Sequence, residues 1–207
     1  MRQDRSKKRV RAYREKRYRS LDQRIVHHLE ARIIRNHLVR ISRPGDTILD
    51  MPVGYGRFVD DLRRHGGYVV GGDHGEAMLG LCRETFGAEL PLVRLESDAL
   101  PFADDSFDIV TCIRLFQHLH DPAARRSTLN EIGRVTRRHA IVTTYLTSPL
   151  HTWMHNARSG LKRLTRHSPA DLHAGLEEAG LRLVSGKRSL PVLHAQYIML
   201  LEKIDRA

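Results

Sequence analysis

The sequence predicts an α/β fold, and three observations carry that prediction. Apolar runs of strand length alternate with helix-length segments from residue 21 onward. Two of the strand-like runs close on a carboxylate, Asp50 and Asp73, and a third is followed by Asp98. Between the first strand and the helix after it lies a tight turn, residues 51–56, that holds one proline and two glycines. Open α/β sheets bind ligands at the carboxyl ends of their strands, where turns of this kind sit.

Taken in order, residues 1–20 form a basic arm. It carries ten Lys/Arg against two acids, Asp4 and Glu15, for a net charge of +8. The remaining 187 residues carry 25 Lys/Arg and 22 acids, so the body is only mildly basic. Such arms meet phosphates or stay solvated. Residues 21–207 are then one domain, with no internal repeat. Helix spacing follows the arm: Leu21, Ile25, Leu29 and Ile33 recur every four residues, with Val26, Ile34 and Leu38 beside them. This is the stripe of a helix packed on a core. A helix lying on a membrane is the alternative, because arginines flank the stripe. Pro44-Gly45-Asp46 ends the helix and turns into the first strand.

Strands are expected near 47–51, 68–73, 91–95, 107–113 and 139–146. Helices are expected near 57–65, 75–86 and 123–134. Ser168 and Pro169 read as cap and first position of a further helix that runs to Glu178–Ala179, and Gly180 stops it. Two late strands near 181–188 and 192–203 complete the pattern.

The turn chemistry points to a ligand. Gly54 and Gly56 lack Cβ, so the chain turns sharply and a ligand approaches the backbone closely. The helix that follows offers unpaired N–H groups at its start. Asp73 stands where βαβ nucleotide sites place the carboxylate that accepts ribose hydroxyls. These features describe a pocket for an adenosine-containing ligand. A dinucleotide fingerprint needs a third glycine three residues after Gly56, and Val59 occupies that place.

Residues 96–113, ESDALPFADDSFDIVTCI, add an acidic-small pair, Asp98-Ala99, before a Leu-Pro-Phe turn and a buried strand. With this segment the chain resembles the class I S-adenosylmethionine-dependent methyltransferases, in particular the type 11 methyltransferase domain. The family's first motif corresponds to Asp50-Met51-Pro52-Val53-Gly54-Tyr55-Gly56, with Pro52 in place of the first glycine. Its later acidic positions correspond to Asp73 and Asp98, and its segment past the fourth strand to residues 115–122, LFQHLHDP. The usual proline-glycine-glycine turn before the fifth strand is replaced by Arg137-Arg138-His139. The resemblance covers residues 47–145, about half the chain.

It implies a Rossmann-like class I methyltransferase fold: a mostly parallel seven-stranded sheet with a late antiparallel strand and helices on both faces. It implies S-adenosylmethionine as cofactor. Asp50, Gly54 and Gly56 would line its methionine end, and Asp73 would bind the ribose. Asp98 and the Ala99 backbone would meet the adenine edge. His74 and Met78 would pack on the ring, with Ile113 completing the pocket. A tyrosine from the N-terminal region, Tyr13 or Tyr18, is a candidate cover.

Residues 145–167 follow the fifth strand at the ligand-binding edge and hold the sole tryptophan, Trp153, beside Arg158, Lys162 and Arg163. This insertion is expected on the acceptor side, with Trp153, Arg158 and Lys162 as substrate-binding residues for an anionic small molecule; a plain connecting helix is the alternative. Where the acceptor needs a base, His118 is the first candidate, ahead of His120, His151 and His155. The pairs His27-His28 and His118/His120 lack a third ligand, so no metal is expected.

Three functions compete: methyl transfer to a small molecule or a lipid- or sugar-phosphate-type acceptor, RNA methylation using the arm, and non-catalytic S-adenosylmethionine binding. The arm is a candidate for nucleic acid or an anionic membrane surface. Cys82 and Cys112 sit in apolar contexts and read as reduced thiols. No apolar run reaches the length of a transmembrane segment, and no secretory signal is visible, so a cytoplasmic location is expected.

Overall fold

The computed structural model describes residues 21–146, 168–189 and 196–204. In chain order the elements are α1 (Leu21–Ile41), β1 (Thr47–Asp50), α2 (Val59–Arg64), β2 (Tyr68–Asp73), α3 (Glu76–Phe86), β3 (Leu92–Arg94), β4 (Phe107–Cys112), α4 (Pro122–Val135), β5 (Thr136–Tyr145), α5 (Pro169–Glu178), β6 (Leu181–Arg188) and β7 (Gln196–Lys203). The seven strands form one sheet in the order β3-β2-β1-β4-β5-β7-β6. β1 to β5 pair in parallel, and β7 lies antiparallel between β5 and β6. The Rossmann-like class I methyltransferase fold with its late antiparallel strand is therefore the architecture observed.

Each sheet face has its own core. One is built from Ile34, Leu38 and Ile41 of α1, Val59 and Leu62 of α2, and Cys82 of α3, against Ile48, Ile109 and Ile141 of the sheet. The other joins Leu129 and Ile132 of α4 and Leu172 and Leu176 of α5 to Leu49, Val110 and Val142. Adjacent residues in β1, Ile48 and Leu49, point to opposite cores, as strand alternation requires. Asp121 caps α4 by accepting from the Ala123 amide, and Ser168 caps α5 by accepting from the Asp171 amide. Gly180, at φ +69, ends α5 in the left-handed conformation. Cys82 and Cys112 are free and buried; burial pushes the Cys82 thiol up to about 12.

Three details differ from the sequence expectation. Of the expected stripe of α1, Ile34 and Leu38 are buried and Ile33 packs partly buried beside them, but Ile25 is not on it. The buried stripe adds Ala31 and Ile41 to Ile34 and Leu38, with Glu30 and His37 buried among them, while Ile25 is exposed. Residues spaced by four advance about 40° around a helix at each step, so a long row of them drifts off the core. Second, α2 begins at Val59, not Arg57, because two tight turns use up the intervening residues: Gly56 N–H bonds to Val53 O and Val59 N–H to Gly56 O. Third, no turn precedes β5. α4 passes directly into the strand at Thr136, and Arg137 and Arg138 lie within it. Their charges are met by Asp108 and Asp46 at the base of the sheet. β7 is described from Gln196, so residues 192–195 of the last expected strand lie outside the described residues.

Candidate active site

β1, β2 and β4 run parallel, so their carboxyl ends lie side by side. A cavity of about 350 Å³ opens there. Asp50, the last residue of β1, lines it and is 2% exposed. Thr111, its register partner on β4, donates to Asp50 Oδ1 at 2.7 Å. Burial, reinforced by the Asp73 charge and opposed by that hydrogen bond, pushes the Asp50 carboxyl up to about 7.

Asp73, the last residue of β2, is fixed by two backbone amides. Gly54 N–H donates to Oδ2 at 3.0 Å and Gly75 N–H to Oδ1 at 2.8 Å. A carboxylate has about four lone-pair sites, so each oxygen keeps capacity for a further donor.

The two glycines of the turn do different things. Gly54, at φ +56, lines the cavity, and a Cβ added there would meet nothing within 4 Å. Gly56, at φ +83, is buried behind the turn; its Cβ would run into the Phe86 ring at 2.1 Å and Cys82 Sγ at 3.1 Å. It lets the turn press against α3 and does not line the cavity. Pro52, which stands for the family's first glycine, lines the cavity after a cis Met51–Pro52 peptide.

His74, Met78 and Ile113 also line the cavity. So does His118, on the 3₁₀ turn Phe116–His118, with Gln117 Nε2 3.5 Å from its Nε2. Asp98 and Ala99 are exposed on the loop after β3 and are not among the lining residues. Trp153, Arg158 and Lys162 lie outside the described residues, as do Tyr13, Tyr18, His151, His155 and Arg163. Among the described residues, no group of three His, Cys, Asp or Glu side chains is placed to hold a metal ion.

Sequence reasoning missed the wall formed with α1. Glu30 is fully buried, and its carboxylate joins four elements. Arg114, just past β4, grips it with two bonds, Nε to Oε1 at 2.9 Å and Nη2 to Oε2 at 2.8 Å. Arg57, from the turn after β1, and Gln196, the first residue of β7, also donate to it. Arg57 and Arg114 both line the cavity. Burial alone would push the Glu30 carboxyl up, but the charges of Arg57 and Arg114 and their hydrogen bonds hold it below the usual range. His27, one turn earlier on α1, accepts from Arg57 Nε at 3.1 Å. Burial and then the Arg57 charge drive its pKa down to about 4, so the ring is neutral near pH 7. One carboxylate against two guanidinium groups leaves this wall with a net charge of +1. Arg114 is held at φ +63, a region that costs a non-glycine residue roughly 1–2 kcal/mol. Its N–H donates to Thr143 Oγ1 at 2.7 Å. A sequence signal for this wall existed: Glu30 falls on the 30/34/38 stripe of α1, where a buried carboxylate demands partners.

Comparison with known proteins agrees with this geometry. Residues 48–139 match a family described as a methyltransferase domain. A ubiquinone biosynthesis O-methyltransferase of Hahella chejuensis is 36% identical over 89 residues, which are 41% of this chain and 37% of that protein. A demethylmenaquinone methyltransferase of Corynebacterium urealyticum is 35% identical over 94 residues, 45% of this chain and 38% of that protein. The chain thus covers less than two fifths of the length of either relative. The crystal structure of a magnesium protoporphyrin IX methyltransferase from Synechocystis PCC 6803 with bound SAH superposes with a TM-score of 0.74 at 15% identity, over 89% of this chain and 88% of that one. Residues 48–139 thus match a methyltransferase domain, and the strand order is that of the class I S-adenosylmethionine-dependent methyltransferase fold.

Proposed function

We propose that the chain transfers a methyl group from S-adenosylmethionine to a small-molecule acceptor, and that this acceptor is a quinone or quinone precursor. The observation that carries the cofactor part is Asp73: a carboxylate pinned by two amides at a strand end, with lone pairs left over for two hydroxyls. The names of the two relatives support the quinone part; they lend nothing to a sugar-phosphate or lipid-headgroup acceptor.

S-adenosylmethionine, when bound, supplies a methyl group on a positively charged sulfur. Asp73 accepts from the ribose hydroxyls. Asp50, poised near neutrality, gives up its proton when a cationic group settles beside it, because the new charge favours the carboxylate. Gly54 leaves the cavity wall open where any side chain would intrude. His74 and Met78 flank the adenine, and Asp98 with Ala99 is assigned its amino edge. His118 takes the acceptor's proton. Trp153, Arg158 and Lys162, from residues 145–167, are assigned the acceptor side. Alignment of acceptor and methyl at about 3 Å supplies most of the acceleration.

The test has two parts. Calorimetry with S-adenosylhomocysteine should show binding that Asp73→Ala weakens by about 1–3 kcal/mol; the variant's thermal midpoint is measured alongside, since Asp73 also anchors the turn. Labelled S-adenosylmethionine is then offered with demethylated quinone precursors, total lipid and total RNA. Label in the quinone precursor supports the proposal. Label in RNA alone would replace the acceptor reading, and binding with no transfer to any fraction would make the chain a binding protein.

A further inference from the structure

Helix α1 turns one face to the sheet and leaves another uncovered. At about 100° per residue, Ile25 falls directly opposite Ile34, in the middle of the buried stripe. Ile25 is 54% exposed and Val39 67% exposed. Arg24, His28, Arg32 and Arg40 are exposed around them. Between residues 24 and 43 the sole carboxylate is Glu30, which is buried on the other side of the helix. Arg35 is paired with Asp61 at 3.4 Å. Arg24, Arg32 and Arg40 have no carboxylate partner among the described residues. The outer face is therefore cationic, with one branched aliphatic side chain near each end and Arg32 between them, and in sequence it follows a 20-residue arm of net charge +8.

We propose that this outer face of α1 docks on an anionic lipid bilayer. The arginines meet lipid phosphates, while Ile25 and Val39 enter the boundary between headgroups and acyl chains. Charge alone would suit RNA as well. Single-stranded RNA, however, is held by stacking on aromatic rings, and residues 24–43 contain no Phe, Tyr or Trp. Exposed aliphatics spaced along a row of cations serve a bilayer and do nothing for a phosphate backbone. The opposite side of the same helix carries Glu30, which holds two cavity-lining arginines. Docking through α1 thus sets the cavity one helix away from the membrane surface. An acceptor dissolved in the bilayer would have a short route to it; that last consequence rests on the quinone reading above, whereas the docking does not.

The experiment is co-sedimentation of the full chain with vesicles of phosphatidylcholine alone and of phosphatidylcholine with about one quarter phosphatidylglycerol. Binding is expected to the anionic vesicles only and to fall with salt. Arg32→Gln with Arg40→Gln should weaken it about thirtyfold, from the loss of two surface charges. Ile25→Ser with Val39→Ser should weaken vesicle binding while leaving binding to a poly(U) oligonucleotide unchanged. All four positions are exposed, and unaltered thermal midpoints and S-adenosylhomocysteine affinity would show that the fold and cofactor site persist. Wild-type vesicle binding in both double variants would assign attraction to the arm and overturn the proposal. Equal loss of vesicle and poly(U) binding in the arginine variant, with no loss of either in the aliphatic variant, would overturn it too, in favour of a nucleic-acid surface.

Discussion

The cavity has two walls that the chain builds in different ways. The wall of Asp50, Gly54, Asp73 and Gly75 comes from two successive strand–turn units; the amide bonds to Asp73 span 2 and 19 residues, and one longer bond, from Thr111 to Asp50, spans 61. The wall of Glu30, Arg57, Arg114 and Gln196 joins residues 27, 84 and 166 apart. The first is mostly local, and the Asp73 carboxylate in it is met by backbone dipoles. The second is made of full charges out of water, and its geometry exists only once α1, β4 and β7 have come together. A local wall leaves its pattern in the sequence. A long-range one leaves single residues whose partners are not visible.

The same difference sets what each wall costs to break. Removing one partner of a buried ion pair strands the other charges, at about 3–5 kcal/mol. Glu30→Ala should therefore be the most damaging single change, leaving Arg57 and Arg114 facing each other across the cavity wall. The check is the denaturation midpoint against Glu30→Gln, which keeps the volume and part of the hydrogen bonding. A loss below 1 kcal/mol in Glu30→Ala would mean that the two guanidinium groups reach solvent easily and that the wall is not a structural knot.

Within the local wall, Gly54 and Gly56 sharpen the comparison. Gly56→Ala drives a Cβ into the Phe86 ring at a left-handed backbone position, and overpacking of that kind costs about 1–3 kcal/mol. Gly54→Ala bears the backbone strain alone, since nothing lies within 4 Å of its Cβ. It should lose less stability than Gly56→Ala but more affinity for S-adenosylhomocysteine, because the new methyl enters the cavity. Thermal melts and calorimetry on the pair read the two effects apart; equal affinity loss in both would show that Gly56 also faces the ligand.

Legibility follows the same line. Asp50, Asp73 and the glycine turn could be read because strand ends and φ-positive turns have residue signatures. The sheet was legible because apolar alternation repeats at every strand. The outward position of Ile25 was not, since rows spaced by three and by four both fit α1 until the sheet chooses between them. The start of β5 was missed because Arg137 and Arg138 look like a turn until Asp46 and Asp108 are seen to neutralise them. Glu30 stood in the sequence as a carboxylate on an apolar stripe, a visible oddity with invisible partners. The residues proposed for the acceptor, Trp153, Arg158 and Lys162, rest on sequence alone.

The smallest expected effect is the pH dependence of the wild type, in which the two walls oppose each other. Asp50 has its pKa raised from an ordinary carboxylate value to about 7. Below the unfolded value its contribution to stability is fully present, and it is lost as pH rises toward and through 7. His27 has its pKa lowered to about 4. Between that value and 6.5 the unfolded chain binds the extra proton, so His27 makes stability rise with pH across the same window. Each slope is at most about 1.4 kcal/mol per pH unit, and they largely cancel in the wild type. Asp50→Asn removes one of them. Its thermal midpoint minus that of the wild type should climb from pH 4 to pH 7 and level off above, while His27→Gln should give a difference that falls from pH 4 to about 6.5. A flat difference for Asp50→Asn would mean that Asp50 ionises normally in the folded chain. Asp50 would then add its own negative charge to that of Asp73 at neutral pH, and a cationic ligand would bind there without releasing a proton.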